Sequence, residues 1–204
     1  MSDSVPPEVV LFDVMDTLVR DPYLDALPGY FGLDADTFFR AVRPGAWVDF
    51  ELGRLDEAGW FSTAFRDGRA FDGPGLRAHL AAHYRWIEGV PEVLADLRRC
   101  GRALHTLSNY PVWYRQIEAR LQVSSLVEWT FVSCETGLRK PDPESYLHAA
   151  RTLGISPEAC VFVDDREVNV QAARALGFHA LRFVDAATLR RDLVALGTLS
   201  AGSP

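Results

Sequence analysis

Short apolar runs recur along the chain, and the runs that matter most end at polar or ionisable residues. The first run, Val9–Phe12, contains no polar residue. An uninterrupted apolar run of this length predicts a strand that is buried on both faces, as in a parallel sheet covered by helices. The same reasoning predicts further strands at 103–107, 129–134, 160–163 and 180–184.

Amphipathic stretches with helical spacing separate the later strands. They predict helices at 91–99, 112–121, 144–153, 168–176 and 187–196. Strands that alternate with helices of this length are typical of an α/β fold with a doubly wound parallel sheet. The last residues, 197–204, are expected to fray.

The pattern changes between the first and second strands, in residues 20–88. This segment holds more than half of the aromatic residues, and its apolar positions predict helices at 34–42, 47–52, 56–69 and 74–86. We therefore expect a small helical domain inserted into an α/β core that consists of residues 1–19 and 89–204. Most of its aromatic side chains are expected to form its own core rather than a substrate pocket.

Polar groups follow four of the predicted strands at the same end. They are Asp13 and the turn residues Asp16 and Thr17, then Ser108 and Asn109, then Lys140, and then Asp164 and Asp165. In open α/β sheets ligands bind outside the carboxyl ends of the strands, so we expect these side chains to meet. A nucleophile, a hydroxyl, a cation and an acidic pair together predict a site for phosphate and a metal ion.

Composition narrows the possible partners. The formal net charge of −7 and the absence of a basic cluster argue against a nucleic-acid or membrane partner, so a small soluble substrate is expected. The three cysteines show no C-x-x-C spacing, which predicts reduced thiols. No apolar run is long enough to cross a bilayer, and the start of the chain lacks a basic region typical of secretory signals. These features predict a cytoplasmic protein, and they leave the oligomeric state open.

Lys140 is the single lysine among 21 basic residues, the other 20 being arginines. A lysine carries a compact ammonium group, whereas an arginine carries a wide planar one. A crowded phosphate site beside a carboxylate would admit the lysine more readily. This supports a functional role for Lys140.

These residue types suit phosphoryl transfer through a covalent intermediate. Asp13 can attack phosphorus and form an acyl phosphate, which water then hydrolyses. Asp164 or Asp165 would hold magnesium (Mg²⁺), which prefers oxygen ligands. Lys140, Ser108 and the N–H groups of residues 14–17 would bind the phosphoryl oxygens. Thr17 and Asn109 are further candidate substrate-binding residues.

The motifs resemble those of the haloacid dehalogenase superfamily of hydrolases, and the resemblance covers the whole chain. Asp13, Ser108, Lys140 and the Asp164-Asp165 pair match the four family motifs in order and spacing. The resemblance implies a Rossmann-like core, with residues 20–88 as a helical cap that closes over the site and selects the substrate. It also implies a Mg²⁺-dependent phosphatase for a small phosphorylated metabolite.

The main departure from the family pattern is Met15. Phosphatases of the family carry an aspartate at this position, which protonates the leaving group and then activates water. A thioether cannot carry a proton, and loss of a general acid/base typically costs about 10²- to 10⁴-fold in rate. The backbone carbonyl of Met15 can still ligate the metal. Our hypothesis is that Asp16 or a cap residue takes over the proton transfer.

Two other functions stay open on the sequence alone. A metal-independent 2-haloacid dehalogenase would use Asp13 alone, and Ser108, Asn109 and Tyr146 are similar to its pattern. However, Asp164 and Asp165 would then place negative charge beside Asp13 with no cation to offset it. The second of these functions is that of a catalytically impaired member of the family, which binds a phosphorylated ligand or a protein partner. A phosphonoacetaldehyde hydrolase is excluded, because the cap contains no lysine.

Overall fold

The computed structural model describes residues 7–200, so predictions for residues 1–6 and 201–204 lie outside the described residues. The core contains five parallel strands, β1 Val9–Phe12, β2 Ala103–Ser108, β3 Glu128–Val132, β4 Cys160–Asp164 and β5 His179–Arg182. Their order across the sheet is β3-β2-β1-β4-β5. The predicted doubly wound parallel sheet is thereby confirmed.

Strand β1 lies at the centre of the sheet and is buried on both faces. Val10 and Phe12 pack into one hydrophobic cluster, whereas Val9 and Leu11 pack into the cluster on the opposite face. Successive side chains of a strand point to opposite faces, so two covered faces require an uninterrupted apolar run. This is why the sequence signal of β1 is continuous rather than alternating.

Helices cover both faces of this sheet. The helices that follow β1 are α1 Ala26–Tyr30, α2 Ala35–Ala41, α3 Ala46–Glu51, α4 Glu57–Thr63, α5 Gly73–His83 and α6 Val90–Arg99. Those that follow β2 are α7 Tyr114–Leu121, α8 Ser133–Thr136, α9 Pro143–Leu153, α10 Glu167–Ala175 and α11 Ala186–Ala195. None of the helices in residues 7–200 has the length and apolar character needed to cross a membrane.

Some predicted boundaries are wrong for identifiable reasons. The helix expected at 56–69 ends at Thr63, because Phe65 instead pairs with Val42 in an isolated antiparallel bridge. Helix α1 was not anticipated, since its sequence A-L-P-G-Y contains both Pro and Gly. Thr198, expected in a frayed tail, is buried and its N–H donates to the carbonyl of Leu193 at 3.0 Å.

The residues between β1 and β2 that were expected to form a cap, residues 20–88, are referred to below as the cap segment. Its aromatic cluster also includes residues from outside the segment, Tyr110 and Trp113, which precede α7. The Trp113 ring packs edge-on against Phe50 and Trp60 at centroid distances of 5.1 and 5.3 Å. Its indole N–H donates to Glu57 Oε1 at 2.6 Å. The cap segment and the core therefore share one hydrophobic cluster.

Candidate active site

The carboxyl ends of three neighbouring strands bring the first predicted site residues together. Asp13 follows β1 directly, Ser108 is the last residue of β2, and Asp164 is the last residue of β4. Since β1 pairs with both β2 and β4, the three side chains start from adjacent positions at one edge of the sheet. The N–H of Asp13 donates to the carbonyl of Val163 at 2.9 Å, which continues the strand pairing up to the site.

Lys140 reaches the same point from the loop between α8 and α9. Its side chain is 1% exposed, and Nζ lies 2.8 Å from Asp13 Oδ1 and 2.6 Å from Asp164 Oδ2. Asn109 holds this loop in place, because its amide donates to the Lys140 carbonyl and accepts from the Lys140 N–H, both at 2.9 Å. Both polar atoms of the Asn109 side chain are thus used to position the lysine.

Asp164 is held by several donors. Its Oδ1 accepts the N–H of Arg166 at 2.8 Å, and the amide of Asn169 donates to both of its oxygens at 3.0 Å. The sequence analysis did not single out Asn169. A polar residue on the apolar face of a predicted helix, such as Asn169 beside Val170 and Ala173, is a signal that could have found it. The neighbouring Asp165 is fixed through its backbone, since its N–H donates to Thr17 Oγ1 at 3.1 Å.

Asp13, Asp164 and Asp165 form a cluster suited to a metal ion. Each offers one carboxylate oxygen, and these atoms all lie within 4.8 Å of one another. Hard divalent cations such as Mg²⁺ prefer oxygen ligands. Met15, predicted to contribute its carbonyl, is buried and lines the same cavity.

The electrostatics of the cluster favour an additional cation. Burial raises the pKa of Asp13 to about 8, with Asp164 and Asp165 adding to the effect and Lys140 opposing it. Burial, Asp164 and Asp16 raise the pKa of Asp165 to about 6. For Lys140, burial lowers the pKa, but the attraction of Asp13 and Asp164 outweighs it and raises the pKa above its usual value. Three carboxylates share one ammonium group, so a bound divalent cation would relieve their repulsion.

The turn that follows Asp13 is closed by hydrogen bonds of its own backbone. The N–H of Asp16 donates to the Val19 carbonyl at 2.7 Å, and that of Thr17 lies 3.4 Å from the Val14 carbonyl. These two N–H groups thus have acceptors within the turn, and the expectation that they bind phosphoryl oxygens stays a prediction. Asp16 adopts a positive φ of 52°, a conformation that Asp tolerates better than most residues.

The Ser108 hydroxyl is buried, and in residues 7–200 it has no hydrogen-bond partner. A buried polar atom without a partner is costly, and such atoms in a native structure call for an explanation. Because Ser108 ends β2 beside Asp13, a ligand oxygen at the end of the sheet would supply the missing partner.

A cavity of about 700 Å³ opens above these residues, between the core and the cap segment. The core side includes Asp13, Lys140 and Asp165, whereas the cap side includes an aromatic wall formed by Tyr23, Phe39 and Trp47. The ring centroid of Tyr23 lies 5.3 Å from that of Phe39 and 4.7 Å from that of Trp47. Sequence reasoning assigned such rings mainly to the bundle core and did not single out this wall.

Glu51 connects the wall to the lysine loop. It is buried at the end of α3, and its carboxylate accepts from the indole N–H of Trp47 at 2.7 Å and from Arg139 Nε at 2.8 Å. Arg139 immediately precedes Lys140 in the chain. The position of the cap segment is therefore coupled to the loop that carries the cation.

Comparisons with known proteins agree with this arrangement. A sequence model of haloacid dehalogenase-like hydrolases matches residues 7–177. The chain is 41% identical over 189 residues to flavin mononucleotide hydrolase 1 of Arabidopsis thaliana, a match that covers 93% of this chain and 77% of the relative.

Solved structures show the same fold. A haloacid dehalogenase family enzyme of Bacteroides thetaiotaomicron, crystallised with magnesium and inorganic phosphate, superposes with a TM-score of 0.72 at 19% identity, covering 87% of this chain and 94% of the other. The L-2-haloacid dehalogenase of Xanthobacter autotrophicus gives a TM-score of 0.63 at 20% identity, covering 92% and 82%. At these identities the structural likeness concerns the fold alone. Together with the sequence match over most of its length, it shows that the chain belongs to the haloacid dehalogenase-like hydrolases.

Proposed function

We propose that the protein is a Mg²⁺-dependent phosphatase that hydrolyses a small phosphomonoester through an aspartyl phosphate at Asp13. The observation that carries this proposal is the cluster of Asp13, Asp164 and Asp165, whose carboxylate oxygens lie within 4.8 Å of one another beside Lys140 Nζ. A nucleophilic carboxylate, a set of oxygen ligands and a cation are the groups that phosphoryl transfer requires.

The donor set fits Mg²⁺. We propose that Asp13, Asp164, Asp165 and the carbonyl of Met15 hold the ion. When bound, it would offset the negative charge of the phosphoryl oxygens and of the clustered carboxylates. The raised pKa values of Asp13 and Asp165 support this, because they arise from burial and repulsion that a cation would relieve.

The chain's own residues divide the remaining tasks. A carboxylate oxygen of Asp13 attacks phosphorus as the bond to the leaving oxygen breaks, and water then cleaves the resulting acyl phosphate and restores Asp13. Lys140 orients Asp13 through the 2.8 Å contact and adds positive charge where the phosphate binds. The unpartnered hydroxyl of Ser108 is the natural donor to a phosphoryl oxygen.

Thr17 and Asn109, which the sequence predicts to bind substrate, are better placed to support other site residues than to contact the substrate themselves. Thr17 holds the backbone of Asp165, and Asn109 holds the backbone of Lys140. We propose that both residues act on the substrate by fixing these two groups.

The aromatic wall of Tyr23, Phe39 and Trp47 points to a substrate with a flat ring. Aromatic rings prefer tilted or offset contacts at centroid distances of about 4.5–7 Å, and such contacts add about 0.5–1.5 kcal/mol each. A cavity of about 700 Å³ has room for a phosphorylated heterocycle. Flavin mononucleotide, the substrate in the name of the Arabidopsis relative, is the compound we propose to test first.

Metal dependence separates this proposal from a dehalogenase. Purified protein should release nitrophenol from p-nitrophenyl phosphate with Mg²⁺ and stop in excess chelator, and the Asp13→Asn variant should be inactive. Turnover of a 2-haloacid that persists in chelator would contradict the proposal. No turnover of any phosphomonoester, either by the wild-type protein or after Met15→Asp, would instead favour a binding protein.

A further inference from the structure

An alcohol leaving group must receive a proton when its bond to phosphorus breaks, and Met15 cannot supply one. A substitute must therefore be an ionisable side chain that lines the same cavity. No histidine lines it among the described residues. The carboxyl groups that do are those of Asp13, Asp16, Asp21, Glu51 and Asp165.

Three of these carboxyl groups are already committed. Asp13 is the nucleophile and Asp165 belongs to the metal cluster. Glu51 is buried and is held by Arg139 and Trp47, one on each carboxylate oxygen. Burial raises the pKa of Glu51, although Arg139 and Trp47 oppose this shift. Both of its oxygens already accept hydrogen bonds, so Glu51 has no free oxygen to present to a leaving group. Asp16 and Asp21 remain.

Asp16 and Asp21 differ in what they do. Oδ1 of Asp16 accepts the N–H of Asp21 at 3.1 Å, so Asp16 anchors the backbone of Asp21. The Asp21 carboxyl accepts the N–H of Tyr23 at 3.0 Å through Oδ1, and no hydrogen bond to Oδ2 is formed within residues 7–200. No arginine or lysine in the described part of the chain pairs with Asp21. One oxygen of the Asp21 carboxyl is therefore engaged by the Tyr23 N–H and the other has no partner in residues 7–200, while the residue lines the cavity.

The charged groups that shift the pKa of Asp21 are acidic. Asp21 also borders a second, smaller pocket that is lined by basic side chains, those of Arg20, His79, His83 and Arg85. Burial raises the pKa of its carboxyl to about 7, the Tyr23 N–H opposes this, and the charges of Asp16, Glu51 and Asp165 add to it. The facing phenols of Tyr84 and Tyr110 have raised pKa values and are uncharged at neutral pH. A carboxyl group in such a setting is present in both protonation states near pH 7, which suits general acid/base catalysis.

We propose that Asp21 is the general acid and base of the reaction, in the role that the residue at position 15 serves elsewhere in the family. This inference rests on the proposed phosphatase function. In the first step, protonated Asp21 gives its proton to the leaving oxygen as the O–P bond breaks and the Asp13–P bond forms. In the second step, the Asp21 carboxylate takes a proton from the water that attacks phosphorus. The Asp13–P bond then breaks, inorganic phosphate leaves, and Asp21 is protonated again.

The test compares two leaving groups in the Asp21→Asn variant. β-Glycerophosphate has an alkoxide leaving group that needs a proton, whereas the nitrophenolate of p-nitrophenyl phosphate hardly needs one. We expect kcat for β-glycerophosphate to fall by about 10²- to 10⁴-fold, and kcat for p-nitrophenyl phosphate to fall by less than about tenfold. Asp25→Asn is the matched control, since Asp25 is exposed and does not line this cavity, and both of its rates should equal those of the wild type.

A rescue experiment checks that the lost group is an acid. Adding Met15→Asp to Asp21→Asn should restore turnover of β-glycerophosphate, because the acid returns at another position. The assignment would be overturned if Asp21→Asn lost equally on both substrates, or if Met15→Asp did not rescue it. It would also be overturned if the loss selective for β-glycerophosphate occurred in Asp16→Asn but not in Asp21→Asn. A wild-type protein without Mg²⁺-dependent turnover of p-nitrophenyl phosphate would contradict the proposed function itself, which keeps the two failures distinct.

Discussion

Replacing Lys140 by Met tests the electrostatics of the site most directly. The substitution keeps most of the side-chain volume but removes the ammonium group, which is 1% exposed and contacts Asp13 at 2.8 Å and Asp164 at 2.6 Å. Removing one partner of a buried ion pair typically costs about 3–5 kcal/mol, because the other charge stays buried without compensation. We expect the free energy of unfolding of metal-free Lys140→Met to fall by about this amount at pH 8.

The pH dependence of this loss follows from Asp13. Its pKa in the folded protein is about 8, against an ordinary value of 3.8, so the folded state binds more protons than the unfolded state between these values. Its contribution to stability therefore decreases as the pH rises through this range. Between pH 5 and pH 7 Asp13 is mostly protonated in both folded proteins, so the deficit of Lys140→Met should be nearly constant there. Without Lys140 the pKa of Asp13 rises above 8, so the deficit should grow above that pH and be larger at pH 9 than at pH 7. Added Mg²⁺ should recover part of it at pH 8, since it binds the folded state.

Urea unfolding followed by far-UV circular dichroism, in chelator and in Mg²⁺, measures these quantities. The matched control is Arg191→Met, which removes a cation from the pair of Arg191 with Asp192 at 3.0 Å, where Arg191 is 72% exposed. An exposed pair of this kind contributes about 0–1 kcal/mol. If Lys140→Met lost no more stability than Arg191→Met, or lost equally at pH 7 and pH 9, the reasoning would be refuted.

Three further predictions concern the cavity and the cap segment. Tyr23→Leu should raise KM for flavin mononucleotide by about 2- to 10-fold through loss of aromatic contact. KM for β-glycerophosphate should change less, and an equal rise of KM for both substrates in steady-state kinetics would argue against ring binding. Asp21→Asn should become more stable relative to the wild type as the pH rises from 5 to 7. In this range the folded wild type keeps a proton on Asp21, with a pKa of about 7 against an ordinary 3.8, that the unfolded chain has lost, so wild-type stability decreases with pH. A difference in melting temperature between the two proteins that stayed constant from pH 5 to pH 7 would contradict this. Trp113→Ala should lower the free energy of unfolding by about 3–5 kcal/mol. Fluorescence and circular dichroism should report one shared urea transition. Separate transitions would show that the cap segment and the core unfold independently.

The residues at the strand ends could be predicted from the sequence because their positions depend on local patterns. The run Val9–Phe12 is buried on both faces, and a polar residue that follows such a run must lie at the edge of the sheet. The same reasoning located Asp164 after β4, and the single lysine identified the loop that completes the cluster. The family's motif spacing added the expectation that these groups meet, which the distances from Lys140 Nζ bear out.

Other features of the site depend on packing between distant segments, which no local pattern specifies. Tyr23 and Trp47 form a wall because two parts of the cap segment meet above the core, although each ring alone resembles an ordinary core residue. Asp21 lies nine residues after the end of β1, but two of the charges that act on it belong to Glu51 and Asp165, which are distant in the sequence. The sequence also does not reveal that the N–H groups of Asp16 and Thr17 have acceptors within the turn that follows β1.

The position of Trp113 also bears on how this protein could be re-engineered. A graft that replaced residues 20–88 with the insert of a relative would leave the Trp113 ring behind, facing a foreign surface and without the Glu57 carboxylate that accepts its N–H. The boundaries of a transferable module therefore do not coincide with the boundaries of the inserted segment. A successful chimaera would have to exchange the stretch that precedes α7 together with the insert, as one discontinuous unit.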